Sequence, residues 1–243
     1  MTNACDCSGI RVWRGYRSEQ YDSRRDAFLQ KLESVFLPAT VQAMSPIGLK
    51  AYFPAVLPPL NDDLPDEIAL VVYGSPEAYT RATKTTVSGR AYGLLHSSVF
   101  NFSSNSHLGR STSAFPQKWE GSLLAGQPCF LGDRALDWHS GAIQLSVIQL
   151  QPKVTAEELG SAFNQWRSNQ TSIFVYEKGY LLLWEHYTGS NPVSFVDTIP
   201  NLVASVVMKG KAQTVYAKAA NTFDDPGVAI SDGDFLDVRL SPP

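Results

Sequence analysis

Hydrophobic and polar positions along this chain change period several times, and each change marks an element. Residues 10–17 (IRVWRGYR) have strand composition, rich in aromatic and β-branched side chains. Over residues 23–44 the period lengthens. Phe28, Leu32, Val35 and Phe36 recur at helical spacing, Asp22 or Ser23 can cap the start, and Pro38 is expected to end or kink the helix. Residues 49–57 read as a second strand, halted by Pro58 and Pro59, and residues 67–73 (EIALVVY) are the clearest strand of the first half. Ser75 followed by Pro76 predicts a helix start. That helical stretch runs to about His96 with a break near Gly89, and residues 98–103 supply a fourth strand. The predicted order is β-α-β-β-α-β.

The order then recurs. Residues 142–150 (AIQLSVIQL) predict a strand, and residues 155–167 a helix in which Thr155 and Glu158 form a capping box. Residues 172–176 and 180–187 make a hairpin around Glu177, Lys178 and Gly179. Residues 194–208 read as helix interrupted by Pro200, and residues 213–219 as the last strand. Each half closes with a similar tail, residues 121–133 and 227–239, of strand, glycine-containing turn and strand. Two domains follow, 8–133 and 140–243, with a Ser-rich loop at 103–115.

Alternate side chains on a strand face opposite ways. In EIALVVY, Ile68, Leu70 and Val72 lie on one side, and Ala69, Val71 and Tyr73 on the other. Residues 49–57 divide likewise, Leu49, Ala51 and Phe53 against Tyr52, Pro54 and Val56. Both faces are apolar, and the helices of one unit cover only one of them. The economical expectation is that the two sheets face each other, within the chain or across a homodimer.

On these features, the element order and the doubly apolar strands over about residues 10–240, the chain resembles the dimeric α+β barrel superfamily, specifically members with two fused ferredoxin-like units. The resemblance implies an α+β fold of tandem ferredoxin-like repeats whose sheets close a barrel, with room for a small, often aromatic molecule. Known members include cofactor-free monooxygenases, polyketide cyclases, lactone isomerases and haem enzymes. Fold does not fix function.

Composition narrows the field. The 243 residues are 44% hydrophobic and 18% charged with a formal net charge of −3, and no basic block exists to neutralise a row of phosphates, so we expect no nucleic-acid partner. The longest apolar runs are strand-sized, so no membrane association is expected. The start, MTNACDCSGI, shows no basic region followed by an apolar one, and three cysteines without ligand spacing read as free thiols, so a cytoplasmic protein is expected. P-loop, GxGxxG, GxSxG, HExxH and CxxC patterns are missing from the sequence.

The candidate chemistry therefore rests on a few polar side chains. In YLLLWEHY (180–187), alternation sets Trp184 and His186 on one face, an aromatic wall beside a group able to move a proton. The plainer alternative puts His186 where the strand meets solvent. Arg14 and Tyr16 share a face with Val12, and Arg14 could hold an anion. Tyr73 would be a second aromatic wall. His96 lies four residues after Tyr92 on one helical face. It reads as a pocket residue, or as a haem ligand of the kind the resemblance implies. Asp133, Asp137 and His139 suit turn and cap chemistry.

The expectation is a protein binding a small apolar or aromatic ligand. If it is an enzyme, isomerase, cyclase or monooxygenase chemistry without a cofactor is expected, with His186 as acid/base and Arg14 as anion holder. The alternatives are a non-catalytic scaffold with a filled core and a haem enzyme using His96.

Overall fold

The computed structural model describes residues 9–103, 109–132, 141–166, 172–187, 194–209 and 230–240. Cys5, Cys7, the Asp133–His139 group and the strand expected at 213–219 lie outside them. The fold is mixed α+β, with two sheets and helices in two compact units. One unit holds residues 9–103, 109–115 and 230–240, and the other holds 116–132, 141–166, 172–187 and 194–209.

In the first unit β1 (Ile10–Gly15) is followed by a helical stretch comprising α1 (Arg25–Lys31), a π-helical turn (Leu32–Phe36) and α2 (Leu37–Met44). Pro38 neither ends nor breaks it. Proline has no N–H to donate one turn back, and the ladder is already shifted just before it, where the Leu37 N–H bonds to the Leu32 carbonyl. The chain continues through β2 (Ala51–Val56), β3 (Glu67–Val72), α3 (Pro76–Thr85), α4 (Val87–Val99) and β4 (Thr112–Ala114). Ser75 caps α3 by accepting from the Ala78 N–H at 3.1 Å. The break expected near Gly89 falls at Thr86, whose hydroxyl accepts the Gly89 N–H at 2.9 Å. Gly89 is what allows α3 and α4 to meet so closely, since a Cβ there would stand 2.0 Å from the Ala82 carbonyl oxygen.

The strand expected at 98–103 is corrected. Residues 98 and 99 finish α4, and the fourth strand is β4, which pairs with β1. The second unit carries β5 (Gln117–Lys118), β6 (Pro128–Leu131), β7 (Ala142–Leu150), α5 (Ala156–Trp166), β8 (Ser172–Glu177), β9 (Tyr180–Tyr187), α6 (Phe195–Thr198) and β10 (Val203–Lys209). The helix expected over 194–208 is corrected to the four residues of α6 and the strand β10. Pro200 stops the helix, and the β-branched residues after it favour extended backbone. The last strand, β11 (Val238–Arg239), returns to the first unit.

Among the described residues the first sheet has the order β11-β2-β3-β1-β4 and the second β10-β7-β9-β8-β6-β5. Their four main strands take the same relative order, β4-β1-β3-β2 and β10-β7-β9-β8, antiparallel throughout. Pro54 sits inside β2 without harm. The Pro54 carbonyl accepts from Leu236 at 2.9 Å, so the missing N–H also points toward the C-terminal segment and spares the β2–β3 ladder.

Trp13, Tyr52 and Ala69 pack on Phe28, Leu32, Phe36 and Val41 from the helices. The opposite face is also dry, with Val12, Phe53, Ile68 and Leu70 completely buried. In the second unit Leu181 and Leu183 pack with Phe163, Phe174 and Phe195. Glu185 shares their face and ends beside α6. Its carboxylate accepts the Phe195 N–H at 2.8 Å and the Ser194 and Ser146 hydroxyls at 3.2 and 3.3 Å. Cys129 is a buried free thiol. No helix among the described residues is long and apolar enough to cross a membrane.

Burial on the second face is testable at Leu70. Leu70→Ala should lower unfolding stability by about 2–5 kcal/mol in urea denaturation. A loss under about 0.5 kcal/mol would mark that face as wet.

Candidate functional site

The helix-covered side of the first sheet does not close completely. A cavity of about 450 Å³ remains there, within the first unit alone. The sheet contributes Trp13 from β1, Tyr52 from β2 and Tyr73 from the end of β3. Helices contribute Phe36, Thr40 from α2, Tyr79 from α3, and Tyr92, Gly93 and His96 from α4. Exposed Lys84 and Arg90 stand among the lining residues and make part of the rim cationic.

Rings dominate the wall. His96 is surrounded by Tyr92, Trp13, Phe36 and Phe102, with centroids at 4.5, 4.9, 5.0 and 5.1 Å. Its Nδ1 stands 2.9 Å from the Tyr92 carbonyl, an acceptor only. The proton therefore sits on Nδ1, and Nε2 is left with a lone pair. Burial holds the imidazole neutral by lowering its pKa to about 4. The shared face of Tyr92 and His96 predicted by their spacing is present.

Behind this wall lies a carboxyl group. Glu67, fully buried on β3, accepts the Trp13 indole N–H at 2.8 Å and the Tyr52 hydroxyl at 2.6 Å. Gly15, opposite Glu67 in the β1–β3 ladder, makes the arrangement possible. A Cβ there would come within 2.6 Å of the Phe100 ring and 2.8 Å of the Trp13 nitrogen. The Thr40 hydroxyl bears on the Tyr52 hydroxyl and lies 2.5 Å from the Tyr92 hydroxyl. Thus a line of polar atoms runs from an interior carboxyl to the cavity wall.

Of the residues singled out in the sequence, Tyr73 and His96 line this cavity. Arg14 and Tyr16 lie together elsewhere. Arg14 donates to the Thr112 hydroxyl and to the Tyr16 hydroxyl, each at 3.0 Å. Tyr16 borders a separate polar cavity of about 350 Å³ beside Arg17 and Asp66. That cavity adjoins an ion-pair cluster in which Asp66 meets Arg17 and Arg25, and Arg25 also grips Asp232. Trp184 and His186 belong to β9 of the second unit. Trp184 is completely buried, and its indole N–H meets no acceptor among the described residues. His186 is half-buried near the strand end. Sequence reasoning missed Glu67, Tyr52, Trp13 and Thr40. Among the described residues no group of three or more His, Cys, Asp or Glu is placed to hold a metal ion.

No protein-family model matches the chain, and no curated protein sequence does. Solved structures similar to it include a candidate monooxygenase of Fusobacterium nucleatum subsp. nucleatum, with 9% identity, a TM-score of 0.38, and 82% of this chain and 88% of that one covered. A candidate monooxygenase of Lactobacillus acidophilus has 9% identity, a TM-score of 0.35 and coverage of 82% and 90%. An anthrone oxidase-like protein has 9% identity, a TM-score of 0.25 and coverage of 83% and 92%.

Burial is the dominant influence on Glu67. It raises the carboxyl pKa from 4.5 to about 7, against the two donors that favour the ionised form. From about pH 4.5 to 7 the folded protein therefore holds a proton that the unfolded chain has released. Stability is greatest below that window and falls as pH rises through it, by on the order of 3 kcal/mol. Urea midpoints measured across this range should show the decline, and Glu67→Gln should flatten it. Parallel curves for the two proteins would contradict a carboxyl that stays protonated to near neutrality.

Proposed function

We propose that the chain binds a small aromatic molecule in the cavity of its first unit, the ligand class expected from the sequence. The supporting observation is the cavity itself. Its volume of about 450 Å³ falls in the range of small-molecule pockets, and its wall combines aromatic rings with a few polar groups. A scaffold with a filled core would leave no such space. Tyr73, Tyr79, Phe36 and Trp13 form the apolar walls, and Tyr92, Thr40 and neutral His96 offer hydrogen-bonding partners. Lys84 and Arg90 at the rim suit a polar or anionic edge on the ligand.

If chemistry follows binding, it is proton transfer, isomerisation, cyclisation or oxygenation without a bound cofactor. The chain is then a pair of fused ferredoxin-like units in which the first carries the pocket.

Gly93 offers a clean test. It lines the cavity, and a Cβ there meets nothing within 4 Å. Gly93→Phe should fill the space and weaken binding of naphthalene at least about tenfold by equilibrium dialysis. Its melting temperature should hold or rise, because glycine is a poor helix former. Failure of the unmodified protein to take up naphthalene would favour the scaffold reading.

A further inference from the structure

We propose that Glu67 and Tyr52 form a proton relay between the interior and the cavity, and that the ligand class is an aromatic compound with an acidic hydroxyl or an enolisable C–H. This rests on the cavity being the binding site and names what the ligand must carry.

The geometry carries the argument. Glu67 is completely buried, yet among the described residues it is paired with no cation. An ionised interior carboxylate without a cation costs several kcal/mol, whereas Gln in the same place could accept from Trp13 and donate to Tyr52 without any charge, so a carboxyl here points to a role beyond packing. The groups facing it are Trp13 from β1 and Tyr52 from β2, with Tyr92 of α4 close enough to influence Tyr52. Beyond Trp13 stands His96, neutral. Trp13 can only donate, so it holds Oε2 in place and takes no part in proton traffic. Tyr52 can donate and accept. It donates to Oε1 at 2.6 Å while its side chain lines the cavity.

The step balances within the protein and one ligand. The ligand O–H or C–H bond breaks, its proton joins the Tyr52 oxygen, and the proton of Tyr52 passes to Glu67 Oε1. The ligand is left as phenolate or enolate, Tyr52 is regenerated neutral, and Glu67 is neutral. Return of the proton to a different ligand atom gives an isomer. Tyr52 is never a free phenolate, consistent with burial and Glu67 raising its pKa well above the ordinary value. Tyr52 is the group that touches the ligand, and Glu67 acts through it.

Two probes separate the relay from simple cavity binding. Naphthalene tests the cavity, and 2-naphthol, neutral in water at these pH values, adds one hydroxyl. Binding of each is measured by isothermal titration between about pH 5.5 and pH 8. The relay accepts the hydroxyl proton only when Glu67 is ionised, so 2-naphthol affinity should rise about tenfold across this range while that of naphthalene stays level. Glu67→Gln should abolish the rise and keep naphthalene binding, and Tyr52→Phe should abolish it independently. Naphthalene binding accompanied by a level 2-naphthol profile, or by a rise that survives in Glu67→Gln, would overturn the relay alone. No binding of naphthalene would overturn the cavity reading and the relay with it.

Discussion

A strand buried on both faces has no place to hydrate a charge, and β3 carries an ionisable carboxyl. Ile68 and Leu70 fill one side, Ala69 and Tyr73 occupy the other, and Glu67 sits on that second side with no surface exposed. The surroundings are organised around keeping this carboxyl satisfied. Gly15 gives up its side chain so that Trp13 can reach it. Tyr52 turns its hydroxyl inward from the neighbouring strand. Both rings then become part of the cavity wall, so the requirement of one carboxyl also shapes the space in front of it.

The two units treat a buried carboxylate differently. Glu185 in the second unit is met by the Phe195 N–H and two serine hydroxyls, an arrangement that fixes the start of α6. Its pKa is raised by burial, opposed first by that backbone N–H. Neutral, short-range partners tie it to a helix end. Glu67 is tied to an aromatic wall instead. Similar chemistry thus serves a structural junction in one unit and borders a cavity in the other.

The main strands were legible because alternation and β-branched composition act locally. Residues 10–15, 51–56, 67–72, 142–150, 172–177 and 180–187 are strands where the pattern predicts them. Elements fixed by distant partners were not. Ser98 and Val99 have strand composition but extend α4, while the weakly patterned Thr112–Ala114 becomes β4 by pairing with β1. Ser194 signals a helix, yet only one turn forms before Pro200 and the strand β10. At the site, Glu67 shares the period of Ala69 and Val71, so its inward direction was readable. Its position at the start of a strand resembles that of many solvated charges. The cavity had no sequence signal at all, because it depends on how α3 and α4 lean against the sheet.

β11 pairs with β2, setting Val238 opposite Tyr52, and Asp232 clasps Arg25 at the start of α1. The first unit is therefore assembled from both ends of the described chain. During synthesis on a ribosome the outer edge of β2 stays unpaired until the whole second unit has emerged, so the pocket-bearing half, though made first, is completed after its neighbour. A chaperone or a ligand that shelters the open edge of β2 in that interval would act on the slowest-completed part of the molecule.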